Sequence, residues 1–364
     1  MKKIIWISNH PTNYLIYLFN YLSKYFDLKV YFLEYIRLTH PWSKLAEINF
    51  EYSVLKNSPK NYFEIINKSK RENAILIVAN WNSLIINFLY LYFCITKQKF
   101  AVWTDTPNVS KKRNTIKKSL RATWIKYLVK NSIGIMGTGQ VAIEAFKKMG
   151  LDENKLINFP FFVDLEKFKP NNDPPKFLSN DLIFLSSGRL VNSHKGYDVA
   201  IRALDVFRNK TENNTFKYKI AGTGPDKKII EALIKKYNLE ENVELLGWLE
   251  EKQLLEFYYS GNVFLHPSHF DPFPNCVLEA MACGLPVIGS DAAGSVVDRI
   301  VHRENGLIFK SSNSEDLADN IELLYENRQL IFEYGKNARK NSEEWNIERS
   351  KEIITKILKM NESF

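Results

Sequence analysis

The feature that most constrains this 364-residue chain is an alternation that runs, breaks and starts again. "KKIIWIS" reads as a strand, "YLIYLFNYLSKYF" as a helix and "LKVYFLE" as a strand. The strand "AILIVA", the helix "SLIINFLYLYFC", the strands "FAVWTD" and "IGIMGTG", and the helix "QVAIEAFKKMG", closed by Gly150, follow. Strands and helices in turn imply a mostly parallel sheet covered on both faces. "KFKPNNDPPKFLSND" interrupts the pattern with three prolines, three asparagines and no periodicity, the signature of a linker. The alternation then resumes. "LIFLSSGRL", "FKYKIAGTG", "VELLGWL", "VFLHPS" and "PVIGSD" read as strands. "GYDVAIRALDVFRN", "PDKKIIEALIKKYN" (opened by Pro225) and "EEKQLLEFYYSG" read as helices. Two similar α/β domains follow, residues 1–165 and 181–340, joined by a linker over 166–180. A last helix spans 341–364 and is free to pack on either. In such sheets ligands bind beyond the carboxyl ends of the strands, and between two domains the cleft is the default site.

The length supports two cores. The opening "MKKIIWISNH" has too short an apolar run for a secretion leader. "SLIINFLYLYFCI" falls short of the ~20 apolar residues that span a bilayer, and is expected as a buried or interfacial helix. Three scattered cysteines, Cys94, Cys276 and Cys283, suggest reduced thiols and a cytoplasmic setting. Charge is uneven: formally +14 over residues 1–160 and −5 over the rest. The densest basic run, within 110–131, places Leu120, Trp124, Tyr127 and Leu128 at helical spacing among Lys117, Lys118, Arg121 and Lys126. Such a helix suits an anionic membrane surface, or is simply solvated. No nucleic-acid recognition motif accompanies it, so nucleic acid is not an expected partner.

The stretch "HPSHFDPFPNCVLEAMACGLPVIGSD" carries the densest chemistry. Pro274 suits the first turn of a helix that Gly284 and Pro286 end. Val277, Ala280 and Met281 would face the sheet, while Asn275, Glu279 and Cys283 lie on another stripe that points Glu279 away from the core. The N–H groups of Asn275 and Cys276 would open the helix as an anion site. Asp271 lies just before it, where a carboxylate is favourable only if hydroxyl donors occupy it. A sugar diphosphate matches: phosphate at the helix end, one acid on the sugar, the other on a ribose diol. The plainer alternative is that Asp271 caps the helix and Glu279 is solvated. Elsewhere, Gly188-Arg189 follows a strand and Lys195 comes soon after, two cations at a strand's carboxyl end. "AGTGPDKK" supplies a second glycine turn, with Gly222 and Gly224 forming part of a dinucleotide fingerprint.

"GRLVNSHKGYDVAIRAL", "YKIAGTGPDKKIIEAL", "VELLGWL", "HPSHFDPFPNCVLEAMACGLPVIGSDAAG" and "VHRENGLIF", in that order, resemble the retaining glycosyltransferases of family 4. "FPFFVDLEKFKP" resembles that family's crossover into its second domain. The resemblance is close over about 160–310 and loose over the first 150 residues. It implies an α/β GT-B fold, two Rossmann-like domains facing across a cleft, with a nucleotide-sugar donor held mostly by the second and an acceptor mostly by the first. It implies that the last helix returns to the first domain. Carried over, Arg189, Lys195 and Asp271 become catalytic residues. Gly188, Gly222, Phe273, Asn275, Cys276 and Glu279 become the donor-binding set, with Arg189 and Lys195 on the diphosphate and Glu279 on the ribose. Asp271 stands where the family usually has glutamate, and "GSVVD" at 294–298 replaces a double glycine followed by an acid. "SNHPTNY" replaces a glycine-rich turn, and "VWTDTPN" stands where a histidine is common. These departures leave His10, Asn13, Thr104 and Asp105 as acceptor-side candidates. No Asp-x-Asp sequence occurs, so no cofactor and no metal are expected. The acceptor would be a glycan or a lipid-linked glycan, with the protein cytoplasmic or peripheral on the inner membrane face. The competing expectations are a nucleotide-sugar epimerase or hydrolase of the same fold, and a non-enzymatic basic protein that binds membrane or nucleic acid.

Overall fold

A computed structural model describes residues 1–34, 45–55, 59–81, 83–107, 115–170, 182–212 and 215–362. The chain divides into two compact units, Met1–Phe162 with Ile347–Phe364, and Val163–Asn346. Most of the expected linker, residues 171–180, lies outside the described residues.

In the first unit the strands are β1 (Lys3–Ser8), β2 (Asp27–Phe32), β3 (Glu51–Val54), β4 (Ile75–Ala79), β5 (Phe100–Thr104), β6 (Gly134–Gly137) and β7 (Leu156–Asn158). They form one sheet in the order β3-β2-β1-β4-β5-β6-β7, every pair parallel. The helices are α1 (Asn13–Leu22), α2 (Pro59–Arg71), α3 (Leu84–Thr96), α4 (Thr115–Lys130) and α5 (Gln140–Lys148). Strands such as "ILIVA" are apolar on both sides because both sheet faces are covered. Ile5, Ile7, Leu76 and Val78 meet α2, α3, α4 and α5 on one face. Ile4, Trp6, Ile75 and Ile77 meet α1 on the other. The Thr12 hydroxyl starts α1 by accepting from the Leu15 N–H at 3.3 Å.

The second unit holds β8 (Leu182–Ser187), β9 (Phe216–Ala221), β10 (Val243–Gly247), β11 (Val263–His266), β12 (Val287–Ser290) and β13 (Gly306–Phe309). The sheet order is β10-β9-β8-β11-β12-β13, again parallel. Its helices are α6 (Asn192–Lys195), α7 (Tyr197–Thr211), α8 (Lys227–Lys236), α9 (Glu251–Tyr259), α10 (Asn275–Ala282), α11 (Gly294–Arg299), α12 (Ser314–Glu326) and α13 (Arg328–Ser342). The strand order reverses direction between β8 and β11, the switch point where open α/β sheets leave a crevice. The chain's last helix, α14 (Glu348–Glu362), packs Ile354, Ile357 and Leu358 in the same core as α1, in the first unit.

Three sequence readings need correction. Helix α8 begins at Lys227 with Asp226 as N-cap, so Pro225 precedes the helix instead of opening it. Pro274 is the N-cap of α10, with extended ψ of 124°, one position before the first turn. On α4 the buried face is Ile125, Leu128 and Val129. Leu120 and Tyr127, expected beside Leu128, are instead exposed. Residues 110–114 of the basic run, and the side chains of 115–118, lie outside the described set.

Candidate active site

The site in the second unit is built from chain turns at strand ends. Two glycines make the close approaches that side chains would block. A Cβ on Gly222, whose φ is +142°, would lie 1.9 Å from the Gly188 carbonyl oxygen. A Cβ on Gly196, φ +64°, would lie 2.1 Å from the Pro267 carbonyl oxygen. The second approach clamps the α6–α7 junction onto the loop after β11, bringing Lys195 to Asp271 across 76 positions of sequence.

Lys195 Nζ donates to Asp271 Oδ2 at 2.5 Å, and both side chains are largely buried. Burial opposes charge on each, but the pairing outweighs it. The Lys195 pKa is raised, and the Asp271 pKa is held well below the usual carboxylate range by Lys195 and His266. His266, at the end of β11 and 3% exposed, sets its Nε2 at 3.4 Å from Asp271 Oδ2 and 2.8 Å from Ser268 Oγ. Burial lowers its pKa despite the neighbouring carboxylate. Its Nδ1 lies 3.7 Å from Cys276 Sγ, and burial pushes that thiol up to about 12. Cys276 is therefore a protonated thiol at neutral pH, unsuited to nucleophilic work.

Helix α10 starts without a side-chain cap. Its first-turn N–H groups, at Asn275 and Cys276, lack intrahelical acceptors and carry the positive end of the helix dipole. One turn on, Glu279 is half-buried. Its Oε2 accepts from Tyr258 OH at 2.7 Å, and that hydroxyl lies 2.9 Å from Ser187 Oγ at the end of β8. Burial raises the Glu279 pKa. The expected outward stripe is thus partly inward, since Cys283 lies in the core with Val277, Ala280 and Met281. Gly188 brings the chain out of β8 beside Lys195: a Cβ there would meet Lys195 Cε at 3.4 Å. Arg189 follows, exposed, and its guanidinium makes no ion pair with the described residues. Phe273 is taken into the core, its ring 4.5 Å from the Arg299 guanidinium.

The second unit thus brings Gly188, Lys195, Asp271, Cys276 and Glu279 to strand ends around the β8–β11 switch point. His266 and Tyr258 are the members that sequence reasoning missed. Both look like core residues in the chain. The "HPS" at the end of "VFLHPS" was the available sign of a polar side chain leaving a strand.

In the first unit, His10, Thr104 and Asp105 line a small cavity at the carboxyl ends of β1, β4 and β5, together with Asn9, Asn80, Tyr14 and Phe161. Asp105 Oδ1 accepts from Thr138 Oγ1 at 3.1 Å, and Asn80 donates to Asn9 Oδ1 at 2.6 Å. Asn13 is engaged elsewhere: its Oδ1 accepts the Ala46 N–H at 3.0 Å. Among the described residues, no group of three or more His, Cys, Asp or Glu is placed to hold a metal ion, and no helix is long and apolar enough to cross a membrane.

Residues 168–341 match the family model of glycosyl transferases group 1. A Haemophilus influenzae protein described as an uncharacterized glycosyltransferase is 29% identical over 207 residues, 57% of this chain and 56% of that protein. The capsular polysaccharide biosynthesis glycosyltransferase CapM of Staphylococcus aureus is 28% identical over 214 residues, 58% of this chain and 51% of its own. The chain thus spans about half the length of these relatives. Among solved structures, Anabaena Alr3699/HepE in complex with UDP superposes with a TM-score of 0.78 at 16% identity, over 100% of each chain. That likeness is one of fold. The architecture is GT-B, with two Rossmann-like units.

Proposed function

We propose that this chain is a retaining, metal-independent hexosyltransferase. It moves a sugar from a nucleotide-diphosphate sugar to a hydroxyl of a glycan or glycolipid, in surface polysaccharide or lipopolysaccharide-type synthesis. The family match over the second unit supports glycosyl transfer, and the capsular relative supports the polysaccharide setting. One observation carries the site assignment: a buried lysine–carboxylate pair beside an uncapped helix start, with Glu279 anchored one turn further on.

The donor diphosphate would take the positive end of α10 and the charges of Lys195 and Arg189. Protein cations in this position supply the charge that a metal supplies elsewhere. Glu279, oriented by Tyr258, would accept from the ribose hydroxyls, and the ionised Asp271 from the transferred sugar. Asp271 remains tolerable beside a diphosphate because Lys195 already balances it. The acceptor hydroxyl attacks the anomeric carbon from the face the diphosphate leaves. The carbon–oxygen bond to phosphate breaks, and the departing phosphate oxygen takes the acceptor's proton. Asp271 and Glu279 serve different parts of one ligand, so they do not act as a glycosidase pair. His10, Thr104 and Asp105 would stand on the acceptor side. The protein would work without nucleic acid, at the inner membrane face.

A thermal-shift panel of nucleotide sugars tests the donor, since a ligand of the folded state raises Tm. With the donor found, Arg189→Ala should melt like the parent yet lose about a hundredfold in transfer rate, the worth of one transition-state contact. Full activity in that variant removes the diphosphate assignment. Activity abolished by EDTA and restored by manganese removes the metal-free one.

A further inference from the structure

Helix α3, "LIINFLYLYFCIT", contains no charged residue. Ile86, Leu89, Tyr90 and Phe93 fill the core against the sheet. The opposite stripe is equally apolar. Leu84, Phe88, Leu91 and Ile95 recur at helical spacing and are 79%, 71%, 37% and 69% exposed. An exposed stripe of this size is unusual on a soluble surface and marks an interaction site.

Two cavities flank the stripe. One of about 350 Å³ lies between α2 and α3, lined by Tyr62, Phe63, Ile66, Ile85, Phe88, Leu89 and Tyr92. The other, of about 510 Å³, lies between α3 and α4, with Leu84, Leu91, Leu120, Arg121 and Trp124 on its walls. Phe88 lines both, so the two form one apolar surface split by a ridge. At its margins, Lys70 Nζ sits 5.5 Å from the Tyr92 ring, and Trp124 donates to Asn87 Oδ1 at 2.7 Å. Among the described residues of these helices, Lys68, Lys70 and Arg71 on α2 and Arg121, Lys126 and Lys130 on α4 are basic, against one acid, Glu64.

We infer that the α2–α3–α4 face is a docking surface for an anionic lipid bilayer. The α3 ridge enters the apolar boundary, and the basic residues around it meet the headgroups. Charge decides between occupants. A second copy would pair the face with itself and set basic rim against basic rim, whereas anionic headgroups neutralise it. Tyr and Trp at the edges suit the boundary between headgroup and hydrocarbon. At thirteen residues, α3 is far short of a span, which leaves it lying in the interface plane. The proposed surface is centred on α3 and includes α4, which carries most of the basic run at 110–131. The inference does not depend on glycosyl transfer.

The test is co-sedimentation of the full chain with vesicles of phosphatidylcholine alone and of phosphatidylcholine with 30% phosphatidylglycerol. The unchanged chain should sediment with the anionic vesicles, and salt should weaken that binding. The triple variant Leu84→Ser, Phe88→Ser, Ile95→Ser should keep its melting temperature and bind at least tenfold more weakly, the worth of withdrawing even one large apolar side chain from hydrocarbon. Lys70→Glu with Arg121→Glu, the cations beside the two cavities, should weaken binding to anionic vesicles and leave the residual affinity for neutral ones. Unchanged binding by the triple variant overturns the proposal, as does equal affinity of the parent for both vesicle types. A parent that is dimeric, becomes monomeric in the triple variant and ignores vesicles also overturns it, and makes a second copy the occupant.

Discussion

The two units use nearly the same architecture for opposite electrostatic ends. In the second, charges that matter are drawn inward and matched: Lys195 meets Asp271 at 2.5 Å, and Glu279 is held by Tyr258. In the first, the side of the sheet carrying α2, α3 and α4 keeps its outward surface apolar and its sequence basic. Burying a charge is costly unless it is paired, so the second unit's pairs must be held by backbone close approaches such as that at Gly196. An exposed apolar stripe needs no such scaffold. It needs only a helix with two apolar faces. A preorganised pocket is therefore expensive to disturb, and a docking face cheap.

That contrast is broken most directly at its dearest point. Lys195→Met leaves Asp271 buried without its cation, and should destabilise the second unit by about 3–5 kcal/mol. Adding Asp271→Asn should recover most of the loss, because a neutral amide needs no counter-charge. The first unit has a counterpart of similar size but different origin. Phe93→Ala on α3, at a fully buried position, should cost about 3–5 kcal/mol through the cavity it leaves. Urea unfolding of the four proteins distinguishes them: only the charge defect is repaired by a second substitution. If Lys195→Met unfolds like the parent, the pair contributes nothing and the contrast fails.

The response to acid is smaller and belongs to the second unit. The folded pKa of Asp271 lies below its unfolded value. Its contribution is complete above about pH 4 and is lost as pH falls further. His266 is also depressed, chiefly by burial. The unfolded chain therefore takes up a proton below about pH 6.5 that the folded site resists, and stability drops from there downward. Lys195 is shifted the other way, so its contribution is intact below the ordinary lysine value and is lost as pH rises from there through its raised pKa, in strong alkali. Unfolding free energies at pH 7.5, 5.5, 4 and about 2.5 should fall in that order, and Asp271→Asn should flatten the drop below pH 4. An unchanged acid slope in that variant would show the carboxylate to be unperturbed.

The same asymmetry governs what the sequence makes legible. The second unit's buried strands are short apolar runs set between glycine turns, and its motif residues lie within a few positions of those turns. Pattern and chemistry therefore coincide at Gly188, Lys195 and Asp271. His266 and Tyr258 escape because their roles are set by partners far along the chain: Tyr258 reaches Glu279 across 21 positions and Ser187 across 71. In the first unit, β3 escapes because "EYSV" is a short edge strand with mostly exposed side chains. Helix α2 escapes because, among its described residues, "PKNYFEIINKSKR" presents just three apolar side chains to the core, Tyr62, Ile65 and Ile66. Lys195 and Asp271 were legible as charges but not as partners. Their pairing is made by the fold at Gly196, which local sequence does not announce.

The least expected effect is the sharpest test of what the first unit's outer face is for. Phe88 and Phe93 are five positions apart on one helix, 71% and 0% exposed. If the outer stripe served folding, Phe88→Ser would resemble Phe93→Ala. If it serves an external partner, Phe88→Ser should change unfolding free energy by no more than about 0.5 kcal/mol, the usual range for a surface position, and could even stabilise slightly by removing apolar area from water. Urea titrations of the two single variants decide this without lipid or donor. A loss of 2 kcal/mol or more in Phe88→Ser, at about the lower limit of a core truncation, would return the stripe to the fold and leave α3 with no outward role.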